Sequence, residues 1–137
     1  MEKGLSLVEV MIVVAIIALL GIITIPNLLK LKINRNESGA KETLRIISVA
    51  CESYAKAHND NYPDSIGNLT TVNPPYLKDS DILEARGGYN YNCVFSNGYS
   101  CVAIPEICIK TGQTTGTGTR KFTVTTGRLI TESPCFK

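Results

Sequence analysis

The sequence lacks several residues and motifs on which enzymes and nucleic-acid-binding proteins commonly depend. It has no tryptophan and one histidine among 137 residues, and its net charge is only +2. It contains no Gly-x-x-x-x-Gly-Lys, Gly-x-Ser-x-Gly or His-Glu-x-x-His motif, so it has no signature of a P-loop, a hydrolase nucleophile or a zinc peptidase. No Lys/Arg-rich run is present, which argues against a nucleic-acid-binding arm. We therefore expect no enzymatic activity, no cofactor and no nucleic-acid partner.

Metal-binding cysteine spacing is also absent, although the chain has five cysteines. No Cys-x-x-Cys occurs, and a single histidine does not complete a zinc site of the usual spacing. Cysteines at this density favour disulfides if the domain is exported to an oxidising compartment. Five cysteines leave at least one unpaired unless a bond joins two chains, and the sequence alone does not choose the pairs. The five are Cys51, Cys93, Cys101, Cys108 and Cys135.

The most informative stretch runs from Leu5 to Leu29, because its 25 residues hold a single charge, Glu9. As a helix it would be about 37 Å long, enough to cross a hydrocarbon core of roughly 30 Å with some tilt. The preceding residues Met1 to Gly4 are charged and end in glycine, so a cut after Gly4 would leave the apolar segment on the mature chain, unlike the cut of a secretory signal. A carboxylate inside a spanning segment is costly, which makes Glu9 a functional-site hypothesis.

This N-terminal stretch resembles the class III signal of type IV pilins and type II secretion pseudopilins. The resemblance rests on Gly4, the apolar Leu5, the sequence Ser6-Leu7-Val8-Glu9 and the apolar run through Pro26. It implies that a prepilin peptidase cuts between Gly4 and Leu5 and methylates the new amino terminus of Leu5. It also implies that Glu9 pairs with the amino terminus of a neighbouring subunit during filament assembly. The motif covers about 25 residues, and the rest of the chain matches the family only in layout.

The chemistry of Glu9 supports this role independently. Cleavage would create an ammonium group at Leu5 on a helix N-terminus, where the helix dipole disfavours positive charge. A buried ammonium and a buried carboxylate are each expensive alone and cost much less together. Such a pair would also set the axial register between subunits. In the alternative interpretation, Glu9 simply lies near the lipid headgroups.

Pro26 lies within the apolar pattern and cannot donate a backbone hydrogen bond. We expect a kink or a local opening of the helix near residues 22–26, which Gly21 and Thr24 would facilitate. The family carries a proline here, and its helix loosens at this place in filaments. The alternative is that Pro26 only ends the spanning segment.

Three basic residues, Lys30, Lys32 and Arg35, follow the apolar stretch. Basic residues favour the cytoplasmic side of a spanning segment, and only Lys3 precedes this one, so the three would place the rest of the chain in the cytoplasm. The N-terminal motif and the cysteine content favour export instead, and the basic residues could contact anionic headgroups on the outer side. An anchor with a cytoplasmic domain is the alternative.

From about Asn36 to His58 the pattern is that of an amphipathic helix. Its apolar residues recur at steps of three and four and predict one stripe packed on a sheet. Ile46 and Val49 lie outside the stripe and could face neighbouring helices in a filament. His58 is expected to be solvent-facing or to cap the helix. The predicted stripe consists of Ala40, Leu44, Ile47, Cys51, Tyr54 and Ala57, so Cys51 is expected to be either a buried thiol or bonded to the sheet.

The remaining residues predict a loop and a small sheet. Residues 59–88 form a connection with one short helix near 65–69, and Asn59 to Pro63 stop the long helix. Strands are predicted at 89–95, 99–104, 120–125 and 128–131. If residues 97–98 form a two-residue turn, Cys93 and Cys101 lie on opposite faces of the sheet. If residues 96–98 form a three-residue loop with Gly98 left-handed, they lie directly opposite each other, and this second register is favoured.

Two further expectations come from the family. A C-terminal loop closed by cysteines is frequent there, which suggests a bond between Cys108 and Cys135. Major pseudopilins carry calcium in a C-terminal loop, but this region has Glu132 as its only acid. Asp79 and Asp81 remain as candidate ligands, although their spacing matches no EF-hand, and no metal is expected.

The expected fold is α+β: one long N-terminal helix of roughly 50 residues, first transmembrane and then amphipathic, packed on an antiparallel sheet of about three to four strands. The expected divisions are a leader (1–4), an assembly helix (5–29), its amphipathic half (30–58), a loop (59–88) and a head (89–137).

The expected function is that of a structural pilin. Its partners would be other copies of itself or related pilins, the prepilin peptidase and inner-membrane assembly machinery. The subunit would lie in the bacterial inner membrane before assembly, with its head exported, and then in an extracellular or periplasmic filament. The alternatives are a type II secretion pseudopilin, a membrane-anchored binding module that never polymerises, and a small anchored enzyme.

Overall fold

The computed structural model describes residues 4, 6–78, 80–111, 113 and 115–136. Within these residues, a long helix is followed by two short helical turns and a four-stranded antiparallel sheet, which confirms the predicted α+β class. The elements in chain order are α1 (Leu7–Ala57), α2 (Gly67–Thr70), a 3₁₀ turn (Ser80–Leu83), β1 (Tyr89–Phe95), β2 (Tyr99–Pro105), β3 (Arg120–Thr125) and β4 (Leu129–Pro134).

Helix α1 is continuous over 51 residues, which is about 76 Å at the usual rise. It ends as expected, because Asn59 and Asp60 adopt left-handed φ angles of 53° and 62°. The N–H of Asp60 then donates to the carbonyl of Ala55 at 2.9 Å, which satisfies one of the last carbonyls of the helix.

The second half of α1 packs on one face of the sheet. Most of the predicted stripe is confirmed, since Ala40, Leu44, Ile47 and Cys51 are buried. Tyr54 is half-buried. The expectation for Ala57 is wrong: Ala57 is exposed, because it lines an open groove where the chain turns away from the helix.

The sheet is a meander in the order β1-β2-β3-β4. Its register places Cys93 opposite Cys101, as in the three-residue-loop alternative. The left-handed residue of that loop is Asn97, with φ of 49°, whereas Gly98 has φ of 147°. A side chain at Gly98 would collide with Thr126, so this position needs glycine on steric grounds as well.

The element boundaries differ slightly from the sequence expectations. The short helix begins at Gly67 rather than near residue 65, β2 includes Pro105, and β4 extends to Pro134. Leu69 of α2 and Leu77 of the following loop complete the core, together with Tyr89 and Phe122 from the sheet. Because this core uses only the second half of α1, the first half of the helix projects from the head without a packing partner in the described chain.

Candidate assembly site and anchor

Glu9 lies in the first turn of α1, at the end of the molecule remote from the sheet. Its Oε2 atom accepts the backbone N–H of Ser6 at 2.9 Å, one of the donors that a helix N-terminus leaves without an intrahelical partner. The carboxylate is exposed, so its second oxygen is accessible to another molecule. Gly4 is exposed, and Leu5, the predicted new terminus, lies outside the described residues. The structure thus places the carboxylate against the backbone of Ser6, which follows the predicted cleavage position by two residues in the sequence.

The apolar half of α1 is exposed along its whole length. Part of this helix is long and apolar enough to cross a membrane, by length and composition, and no residue of that part is buried inside the molecule. A signal sequence would meet the same test. A buried core helix would not show this exposure, so the surface needs an apolar environment from outside the described chain.

Pro26 does not interrupt α1, because the helix continues through residues 22–26. The proline removes the donor to the Ile22 carbonyl. Two residues earlier, the Thr24 hydroxyl donates to the Leu20 carbonyl at 2.8 Å, a contact that can bend a helix. Local opening at this place therefore stays a prediction about the helix in its packed environment.

A charged cluster joins α1 to β3 and β4 where the head begins. The backbone N–H and the hydroxyl of Thr119 donate to Oε1 of Glu37 at 2.9 and 2.6 Å. Arg120 lies 3.0 Å from Oε2 of Glu37 and 2.9 Å from Glu132, which Lys41 also contacts at 3.2 Å. Glu37 is only 4% exposed. Burial alone would raise the pKa of Glu37, but the Thr119 hydrogen bonds and the Arg120 charge outweigh it and hold the pKa below its usual range.

Sequence reasoning missed this role of Glu37, although a signal existed. Residue 37 lies three positions before Ala40 and so extends the buried stripe by one step. A carboxylate on a buried stripe requires partners. The sequence does not indicate which residues these partners are, because Thr119 and Arg120 are more than 80 positions away from Glu37.

A second carboxylate, Glu52, fastens the other end of α1 to the sheet. Tyr99 and Tyr62 donate to it through their hydroxyls at 3.0 and 3.2 Å, and the backbone N–H of Gly127 donates at 2.7 Å. Burial and the neighbouring Glu52 raise the pKa of Tyr99. Both clusters therefore hold the head on the helix.

The cysteines are divided between two bonds and a thiol. The structure joins Cys93 to Cys101 across β1 and β2, and Cys108 to Cys135, which connects the C-terminal segment to the loop before β3. Cys51 is a buried free thiol, and desolvation raises its pKa to about 12. A thiol with so high a pKa is a poor nucleophile, so Cys51 acts as a core residue.

The only histidine of the sequence, His58, has a structural role. His58 caps the end of α1 as expected: its Nδ1 atom lies 2.9 Å from the Tyr54 carbonyl, and its ring stacks on Tyr54 at 3.9 Å. Asp79 lies outside the described residues, and of Asp81 only the backbone is described.

A comparison with curated proteins finds a relative of this chain. The type IV major pilin protein PilA of Myxococcus xanthus (strain DK1622) is 40% identical over 63 residues. These residues are 46% of this chain and 28% of that protein, so the chain matches little more than a quarter of the relative's length. No protein-family model matches the chain, and no solved structure gives a significant match. The chain is therefore similar to a type IV major pilin over nearly half of its own length, and its long apolar N-terminal helix fits that similarity.

Proposed function

We propose that the protein is a structural subunit of a type IV pilus-like filament and that it polymerises through the N-terminal half of α1. The observation that carries this proposal is the division of one continuous helix into two environments. Its second half is covered by the sheet, whereas the first half is apolar, exposed and without a partner in the described chain. Packing among like helices would bury that surface in a filament, and the bilayer would bury it before assembly.

Glu9 directs assembly in this proposal. A prepilin peptidase cuts between Gly4 and Leu5, and methylates the new amino terminus. The carboxylate of Glu9 is exposed in the first helical turn, so it can approach the ammonium group of a neighbouring subunit. Pairing the two charges removes the cost of burying either one alone among apolar helices.

The subunit lies in the inner membrane before assembly, with its head exported, and afterwards in an extracellular or periplasmic filament. The disulfides Cys93–Cys101 and Cys108–Cys135 support export, because such bonds persist in oxidising compartments. Its partners are further copies of itself or related pilins, the prepilin peptidase and the inner-membrane assembly machinery. The two carboxylate clusters of the head have structural partners, which supports a structural role rather than an enzymatic one.

Intact-protein mass spectrometry of the chain recovered from cells tests the processing step. We expect a mass that lacks Met1 to Gly4 and carries one added methyl group on Leu5. An uncut chain that retains Met1 would contradict the proposal and would favour an anchored module that does not polymerise. The same spectra recorded with and without reductant count the disulfides.

A second measurement distinguishes a type IV pilus from a type II secretion pseudopilus. Filaments sheared from the cell surface and found to contain the chain would indicate a pilus. If the processed chain is instead confined to the periplasm, and protein secretion fails in its absence, it is a pseudopilin.

A further inference from the structure

Three cations surround α1 just beyond its apolar part, and we call Lys30, Lys32 and Arg35 the basic collar. All three side chains are exposed. None of them makes a hydrogen bond or an ion pair with another residue in the part of the chain that the structure describes. Lys30 and Lys32 are about 200° apart around the helix axis, so the collar presents charge on opposite sides.

Within the described chain, the two acids nearest to the collar in the sequence form no ion pair with it. The nearest acid in the sequence is Glu37, and its two oxygens are occupied by Thr119 and Arg120 in a buried position. The next acid towards the N-terminus is Glu9, about 31 Å from Lys30 along the helix.

The position of the collar matches a lipid headgroup layer. Arg35 is about 9 Å beyond Leu29, the last residue of the apolar stretch, at the usual helical rise. A bilayer has a hydrocarbon core of about 30 Å and a total thickness of about 40–45 Å, so each headgroup layer is about 5–7 Å deep and the Arg35 backbone lies just outside it. The long basic side chains can reach phosphate groups there while their methylenes cover apolar surface.

The base of the head brings two exposed apolar side chains to the same level. Asn36 donates to the Thr117 carbonyl at 3.0 Å, and the Thr117 N–H donates to the carbonyl of Ile107 at 2.9 Å, so Ile107 lies near the collar. Phe136 lines a groove with Arg120. The two side chains are 59% and 39% exposed. An apolar rim beside a basic collar suits the boundary between headgroups and acyl chains.

We infer that the basic collar binds the phosphate groups of anionic phospholipids and holds the base of the head against the membrane surface before assembly. The inference rests on the membrane anchoring of the proposed function. The phosphate groups belong to lipids, because the collar directly follows the apolar part of α1.

Electron paramagnetic resonance on the full chain reconstituted in phosphatidylcholine vesicles tests the inference. Spin-labelled phosphatidylglycerol and spin-labelled phosphatidylcholine are compared for the fraction immobilised by the protein. At low salt we expect a preference for phosphatidylglycerol of at least about threefold, because each surface cation attracts anionic lipid. The preference should decrease at high salt, since exposed charges are screened.

The triple variant K30Q/K32Q/R35Q should lose the preference, whereas the matched variant K56Q/K78Q/K121Q, which removes three exposed cations elsewhere, should keep it. Equal immobilisation of the two lipids by the wild-type chain, or equal loss in both variants, would overturn the inference and leave the anchoring intact. A chain that stays out of vesicles of either composition would overturn the anchoring and the inference together. The salt series on the wild-type chain keeps the test decisive if a variant does not fold.

Discussion

The two halves of helix α1 have the same backbone conformation and opposite surroundings. Residues 7–29 are mostly apolar and exposed, whereas the half from Lys30 to Ala57 buries one stripe against the sheet. In the second half, stability comes from tertiary packing of an amphipathic face. In the first half, no such packing exists within the described chain. The difference shows that one continuous helix can serve two structural units, a head that is complete in itself and an anchor completed by its environment.

Two carboxylates of α1, one in each half, sharpen this comparison. Glu37 has its partners inside the chain, and Glu9 has one hydrogen bond from Ser6 and an accessible second oxygen. The charge of Glu37 is therefore satisfied by folding, and the charge of Glu9 would be satisfied by assembly.

The largest effect is expected for Glu9→Ala, which should abolish filament assembly while leaving the melting temperature of the head unchanged. Removing the carboxylate leaves a neighbouring ammonium group without a counter-ion among apolar helices. Sheared filaments are quantified by immunoblotting, and the head is followed by thermal denaturation of the full chain in detergent. Glu42→Ala on the exposed side of α1 is the control. Normal filaments from the Glu9 variant would refute the assembly role.

The next largest effect distinguishes the two halves of α1 by how far each one packs into the core of the head. Leu44→Ala should reduce the free energy of unfolding of the head by about 2–5 kcal/mol, because it leaves a cavity in the core. Leu19→Ala should leave the unfolding of the head unchanged, because Leu19 is exposed in the other half. Both are measured by denaturant unfolding monitored through the tyrosine signals of the head. Equal losses would mean that the anchor half contributes to the stability of the head.

Removing the C-terminal disulfide should reduce the free energy of unfolding slightly less than Leu44→Ala does. C108S/C135S opens a loop with a sequence separation of 27, and loop-closure entropy predicts a loss of about 2–4 kcal/mol. C93S/C101S, with a separation of 8, should cost about 1 kcal/mol less on the same grounds. Thermal unfolding of both variants in parallel gives the ranking, and the reverse order would show that local packing outweighs loop closure.

The smallest effect is the pH dependence from Glu37. Its pKa in the folded chain is lowered from the ordinary glutamate value of 4.5. The stabilisation is therefore present in full above that value and disappears as pH falls through the folded pKa. Glu37→Gln should lower the melting temperature at neutral pH, and the difference from wild type should shrink in acid. If the difference in melting temperature between Glu37→Gln and wild type is the same at neutral and acidic pH, the shape of the side chain rather than its charge causes the effect.

Sequence patterns predicted the helix and the strands well because these depend on neighbours within a few residues. The long helix, the positions of β1 and β3 and most of the buried stripe are confirmed. Turn chemistry around residues 96–98 left two registers open, and only strand pairing settled that Cys93 faces Cys101. Ala57 was misplaced because periodicity does not indicate where the covering sheet ends.

The roles of Glu37 and Glu52 illustrate the limit of such patterns. Each carboxylate is held by groups from strands or turns far away in the sequence, such as Thr119 for Glu37 and Gly127 for Glu52. Local periodicity carries no information on such pairs, since it only indicates which face of a helix is buried.

The sequence by itself determined the long helix, its apolar N-terminal half, the isolated charge of Glu9 and the basic collar, because composition and spacing along one helix are local properties. Only the tertiary structure decided which carboxylates are neutralised within the chain, which cysteines meet and which surfaces stay exposed. These features depend on contacts between distant segments, and such contacts form only when the sheet packs on the helix.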